Sequence, residues 1–255
     1  MLRPLLALVL AATPCLALAQ EAAPPAPPPL EGRIDGKFYV SPTGVFKVTI
    51  PVLPELGGSI NDTPNVVTFQ DDFNTHISIA AVPQDATQRW ELSTRGLKDY
   101  LVYFFSNFVL ADFKQTFEGV QIESAKFIPG SLDGSLITYI LLPGGSMFSD
   151  KIPQISSDGR VPIAKRGNLL FVKNSHIFVI SIELAERIIE GKTYNKTTAE
   201  EDEILRQRLN DVVGKIDFAK PPAGAPAASS TAAPAAPAPA SAAVTVPGLT
   251  PAPKK

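Results

Sequence analysis

The sequence predicts an α+β fold: an antiparallel β-sheet flanked by two main α-helices, with disordered Pro/Ala-rich flanks. Three observations predict it. Short alternating or continuous apolar runs recur between Pro- and Gly-bearing turns from Phe38 to Leu184. Two longer stretches, at about 93–115 and 198–215, carry the apolar period of a helix. Outside about 33–218 the chain is rich in Ala and Pro and too poor in large apolar residues to build a core.

Residues 1–19 read as a secretory signal. Arg3 supplies the positive start, Leu5 to Ala12 the short apolar run, and Ala17-Leu18-Ala19 the cleavage site, so the mature chain is expected to begin at Gln20. That run is shorter than the ~20 residues a membrane span needs, and no later stretch qualifies. Cys15, the sole cysteine, lies inside the signal, behind Pro14 rather than the small residue of a lipoprotein signal. The mature chain is then without disulfides and without thiolate metal sites. Removing residues 1–19 takes away Arg3 and no acid, so the formal charge of -2 becomes -3. The charges are mixed along the chain, which argues against nucleic acid as a partner.

Residues 20–32 hold five prolines, a stiff spacer of polyproline type. The domain, 33–218, opens with a strand, a Ser41-Pro42-Thr43-Gly44 turn and a second strand that ends at Pro51. Ser41 is a turn residue in this reading, not a nucleophile. Pro54 and Gly57-Gly58 form a loop. Val66 to Phe69 and His76 to Val82 form a hairpin around Asp71 to Asn74. Ser93 or Thr94 is expected to cap the first helix, which runs to about Gln115. Its centre, Tyr100 to Leu110, is apolar at nine of eleven positions, so the helix is buried on most sides or covers a partner.

Residues 120–128 alternate as a half-buried strand, and Ser135 to Leu142 is the next. Residues 144–162 read as a long surface loop. Asn168 to Val172 and Ile177 to Leu184 form a hairpin whose near-continuous apolar run marks central strands covered on both faces. Thr198 and Glu201 fit a capping box that opens the last helix, with Leu205, Leu209 and Val212 on one face. From 219 to 255 an Ala/Pro-rich tail is expected to be disordered.

Chemistry is sparse. The two histidines, His76 and His176, sit at a strand start and in a hairpin turn, with no nucleophile marked beside either. No G-x-S-x-G elbow, zinc-ligand spacing, calcium loop or phosphate-cradling glycine motif appears. We therefore assign no catalytic, cofactor or metal residue.

The opening motif Phe38-Tyr39-x-Ser41-Pro42-x-Gly44-x-Phe46-x-Val48-x-Ile50-Pro51, followed by Phe69-x-Asp71-Asp72, resembles the start of PsbP-like domains, which in turn resemble DcrB-type envelope proteins. The tryptophan often found after the first strand of that family is replaced here by Val52-Leu53-Pro54. The resemblance implies an antiparallel sheet flanked by helices, and a non-catalytic accessory or binding domain on the periplasmic or lumenal side of a membrane. The expectation is thus an exported envelope protein, periplasmic or secreted, acting on a protein partner or small ligand. Its candidate contact residues are Tyr100, Tyr103, Phe104 and Phe148. The alternatives are a secreted hydrolase with no recognisable motif, or a spacer whose Ala/Pro tail carries the interaction.

Overall fold

The alternating stretches pair into two antiparallel sheets in the computed structural model, which describes residues 29–149 and 161–219. The signal, most of the proline-rich spacer, residues 150–160 and the tail from 220 lie outside the described residues. Along the chain the strands are β1 (Arg33–Asp35), β2 (Phe38–Val40), β3 (Phe46–Thr49), β4 (Ser59–Asp62), β5 (Val66–Gln70), β6 (His76–Pro83), β7 (Gln121–Ile128), β8 (Ser135–Pro143), β9 (Ile163–Lys173), β10 (His176–Glu183) and β11 (Ile216–Phe218). The small sheet has the order β1-β2-β3-β11 and the large one β4-β5-β6-β10-β9-β8-β7. In the large sheet, the β4–β6 meander and the β7–β10 meander meet along one seam, where β6 pairs with β10.

The opening strand–turn–strand forms as expected, with Phe38 opposite Thr49. Ser41 is buried in its turn and its hydroxyl accepts from the Phe46 N–H at 3.2 Å. In β3, Phe46 and Val48 point inward while Lys47 is exposed, as the alternation requires. β4 was not expected. Only Ile60 in it is apolar, and it exists because it pairs with β5 at the sheet edge. β7 is the other edge, so it is mostly exposed rather than half-buried.

The central strands β8, β9 and β10 are buried on both faces. Alternate residues enter two separate cores. On one side Phe171, Phe178, Ile180 and Ile182 pack with Tyr39, Phe46 and Val48 of the small sheet and with Leu205 and Leu209 of the last helix. On the other, Leu170, Ile177 and Val179 pack with Tyr100, Leu101, Phe104 and Phe105. The fold is therefore three layers: helices, large sheet, then small sheet with a helix beside it.

The first expected helix is in fact a chain of segments: α1 (Ala86–Arg95), α2 (Leu97–Phe104), a π-turn (Phe105–Val109) and α3 (Leu110–Thr116). It starts earlier than Ser93, because the Asp85 side chain accepts from the Gln88 N–H at 2.7 Å and caps α1. The Ser93 hydroxyl instead donates to the Trp90 carbonyl within that helix. Gly96, at φ 76 and ψ 161, breaks the chain between α1 and α2. In the π-turn, the Leu110 N–H donates to the Phe105 carbonyl five residues back.

After β10 come a short helix, α4 (Glu186–Ile189), and the long α5 (Thr198–Val213). The capping box is one residue earlier than expected: Thr197 is the N-cap and Glu200 reaches back to it. Two overlapping Thr-x-x-Glu frames exist here, and the second is excluded because Glu201 is needed inside. It is almost fully buried and accepts from Lys165 Nζ at 3.0 Å and Arg187 Nη1 at 2.7 Å. Lys165, on β9, is fully buried and also pairs with Asp202 at 2.6 Å and with Glu123 of β7. Its burial opposes the charged form, but these carboxylates outweigh it and raise its pKa. This cluster fastens α5 to the sheet.

Candidate functional site

The face of the large sheet that looks toward α2, the π-turn and α3 has one unusual row. Register places Thr68 (β5) opposite Ser78 (β6), Ser78 opposite Ser181 (β10), Ser181 opposite Asn168 (β9), and Asn168 opposite Thr138 (β8). Five polar side chains thus run in line across strands whose other inward positions are mostly Leu, Ile, Val and Ala. At one end the Thr68 and Ser78 hydroxyls lie 3.0 Å apart. At the other, Asn168 Nδ2 donates to Thr138 Oγ1 at 3.4 Å. In the middle, Ser181 Oγ and Asn168 Oδ1 have no hydrogen-bond partner among the described residues.

The next row toward the sheet end carries charge. Arg166 stands opposite Glu183, and both are buried. Arg166 Nη2 donates to Glu183 at 3.3 Å and to the Gly145 carbonyl at 3.4 Å, while its Nε has no partner among the described residues. Burial pushes the Arg166 guanidinium below its ordinary pKa, opposed by Glu183. Glu183 also accepts from the Ser146 hydroxyl and from the Met147 N–H at 3.1 Å. It therefore holds the start of the 144–149 loop against the sheet.

Over these two rows lies a cleft of about 470 Å³. Its floor includes Ser78, Ser181, Asn168 and Arg166; its helical wall is Phe104, Phe108, Val109 and Phe113, with Asp112 beside them. Phe104 and Phe108 stack at 4.8 Å between ring centres, and the Arg166 guanidinium lies 5.6 Å from the Phe113 ring. Phe108 is exposed, the side chain on which the π-turn opens this wall to solvent. A pocket with an apolar wall and a few converging polar groups is the usual form of a small-ligand site.

The four residues singled out from sequence divide. Phe104 is buried and lines the cleft. Tyr100 is fully buried behind it, its hydroxyl accepting from Gln84 Nε2 at 3.2 Å and donating to Gln88 Oε1 at 2.9 Å. Tyr103 is half-buried under the Arg95 guanidinium, 4.5 Å from its ring centre, and meets Phe108 edge-on. Phe148 is fully buried in the helix-side core, away from solvent, where it anchors its loop. Sequence reasoning missed Phe108, Val109, Phe113 and the whole polar floor. Its signal was a polar residue within or at the start of each apolar run (Ser78, Thr138, Asn168, Ser181), which becomes a row only once the register is known.

The two histidines lie in different settings. His76 is buried, its Nδ1 has no partner among the described residues, and burial together with the charge of Arg166 pushes its pKa down to about 3. His176 Nδ1 meets the Asn174 carbonyl at 2.9 Å. Asp71 is a turn residue: burial opposes its ionised form, but its Oδ1 accepts from the N–H groups of Phe73, Asn74 and Thr75, which hold its pKa below the usual carboxylate range. Among the described residues no group of three or more His, Cys, Asp or Glu is placed to hold a metal ion.

No family model matches the chain, and no curated protein matches it either. Solved structures of similar outline include the Ran-binding protein Mog1p of Saccharomyces cerevisiae, at 9% identity over 73% of this chain and 96% of that one, with a TM-score of 0.42. They also include the cyanobacterial PsbP of Synechocystis, at 12% identity over 74% of this chain and 98% of that one, with a TM-score of 0.44. Likeness at this level says nothing of function.

Proposed function

We propose that this chain is an exported, non-catalytic binding protein of the bacterial envelope, and that the cleft under the π-turn is where it binds. The observation that supports this reading is the floor. Buried polar atoms without partners cost stability, so a fold retains them where something else is gained. Here three of them, on Arg166, Asn168 and Ser181, belong to residues lining one cleft. Among the described residues no hydroxyl–imidazole pair lines the cleft, and we read the site as one that holds a molecule. Export rests on the signal at residues 1–19; the 33–218 domain, its 20–32 spacer and its 219–255 tail belong to the same reading, as does a role beside envelope protein partners. Among the described residues no helix is long and apolar enough to cross a membrane.

The test has two arms. Fractionation of the expressing host, with sequencing of the mature N-terminus, is expected to find the chain outside the cytoplasm beginning at Gln20; a cytoplasmic chain that keeps Met1 would refute export. Thermal-shift screening of the mature chain with small amphipathic compounds is expected to find stabilising ligands whose effect is lost in Val109→Trp, which fills the cleft. Turnover of any such compound, rather than retention, would overturn the binding role.

A further inference from the structure

We propose that the cleft takes a small amphipathic cation. Its apolar body lies along the phenylalanine wall, and its one ammonium-type head sits at the rim beside Asp112 and Phe108. This rests on the binding role proposed above and adds the chemical class of the ligand.

The sign of the head follows from the charges on the lining. Among the described residues that line the cleft, only Asp112 and Arg166 are charged. Arg166 is buried and matched by Glu183 at 3.3 Å, so this pair carries no net charge toward a ligand of either sign. Asp112 is exposed, and its carboxylate has no ion-pair or hydrogen-bond partner among the described residues. Lys114, two positions on in α3, faces another side of that helix. The cleft thus presents one unmatched charge to solvent, and it is negative. A cationic head is attracted to it, a carboxylate is repelled, and an uncharged head gains nothing from it.

The same helical wall supplies the rest of the seat. Phe104, Phe108 and Asp112 recur at every fourth position, and all three line the cleft. Phe108 is exposed, yet its ring is held: it stacks on Phe104 and meets Tyr103 edge-on, with the latter ring centres 6.1 Å apart. An ammonium placed at this rim is drawn to the ring and to the carboxylate together. Arg95, the cation over Tyr103, is paired with Glu91 and adds no free positive charge beside it. Inward of the rim the lining turns apolar, with Val109 and Phe113 on the helical side and Val82 and Val179 on the sheet, and there the body is buried. A volume of about 470 Å³ suits a small molecule of this kind.

The experiment titrates the mature chain with three probes that share one body, phenylbutylammonium, phenylbutanol and phenylbutanoate, following amide and side-chain shifts by NMR. The expected order of affinity at the cleft is ammonium, then alcohol, then carboxylate, with the gap between the first two narrowing as salt is raised. In Asp112→Asn, a change at an exposed position that leaves the fold intact, the ammonium is expected to bind about three- to fivefold more weakly, the scale of one solvent-exposed ion pair, while the alcohol binds as before. Equal ammonium affinity in parent and Asp112→Asn would overturn the placement of the head. Ammonium shifts that persist in Val109→Trp would put the binding elsewhere and overturn the proposal. If the alcohol or the carboxylate binds the cleft as tightly as the ammonium, the ligand class is wrong while the cleft stands. If no probe perturbs cleft resonances at millimolar concentration, but an unrelated amphipathic ligand does, the class again fails alone. If none does, the binding role fails with it.

Discussion

Ser181 and Asn168 stand directly opposite one another in the β10–β9 ladder, and each keeps an oxygen without a hydrogen-bond partner among the described residues. Their neighbours along the same strands, Leu170 and Val179, are apolar and pack normally into the helix-side core. A buried polar atom left unpaired costs about 1–3 kcal/mol, so the pair is a local loss of stability in the best-packed part of the sheet.

Ser181→Ala is therefore expected to leave the fold as stable as the parent or to raise its stability by up to about 1 kcal/mol, measured by urea denaturation. A loss of that size or more would mean that the hydroxyl has a partner in solution and that the floor is already satisfied.

Lys165→Met is expected to destabilise the domain by about 3–5 kcal/mol, because the almost fully buried Glu201 loses one of its two cations and the partly exposed Glu123 and Asp202 lose their shared counter-charge. Glu201→Gln should be far more costly than Glu200→Gln, although the two residues are adjacent. Glu201 is buried against Lys165 and Arg187, whereas Glu200 is an exposed helix cap. Equal effects in chemical denaturation would contradict the register of α5.

Gly96→Ala should cost about 1–3 kcal/mol without creating a clash. Nothing lies within 4 Å of the added methyl, but φ +76 with ψ 161 is a backbone region open essentially to glycine alone. A thermal-denaturation midpoint equal to the parent's would show that α1 and α2 join differently.

His76 makes stability depend on pH in a definite direction. Its folded pKa, about 3, lies below the ordinary 6.5, so between these values the unfolded chain takes up a proton that the folded chain refuses. Stability is expected to fall as pH drops from 6.5 toward 3, with a slope of up to about 1.4 kcal/mol per pH unit from this residue. Below the folded pKa that contribution levels off. His76→Gln should flatten this window, and a slope identical in parent and variant would remove His76 as its source. Asp62 acts lower on the scale: burial opposes its ionised form, but the N–H groups of Gly32 and Glu31 and the Tyr39 hydroxyl hold its pKa below the ordinary 3.8. The stability that it contributes is present above 3.8 and lost as pH falls through its folded pKa.

Much of the fold was legible in the pattern of apolar residues. The β2–β3 entry, the β5–β6 and β9–β10 hairpins and α5 all follow from alternation, turn residues or helical period. The errors have physical causes. α1 is weakly apolar, with Trp90 exposed, so it was overlooked in favour of the greasier α2, and the break at Gly96 depends on a backbone angle that composition does not reveal. β4 exists only through its partner. The candidate site was the least legible part. The aromatic stretch around Phe104 was visible, but Ser78, Asn168 and Ser181 are about ninety to a hundred positions apart at their widest and look like isolated exceptions in apolar strands. The β9–β10 pairing aligns Asn168 with Ser181, and the β6–β10 pairing adds Ser78.

That seam also governs how the chain can reach its native state. Ile79 and Ile180 pair across it, about a hundred residues apart, and β6, the last strand of the first meander, depends on it for a neighbour on its inner side. Contacts that distant incur a large loop-closure cost before they contribute any stability, which places this architecture among slow folders. Until β10 has emerged, β6 presents an open apolar edge that another copy of the chain can fill. A chain truncated before β10 is thus a template for aggregation.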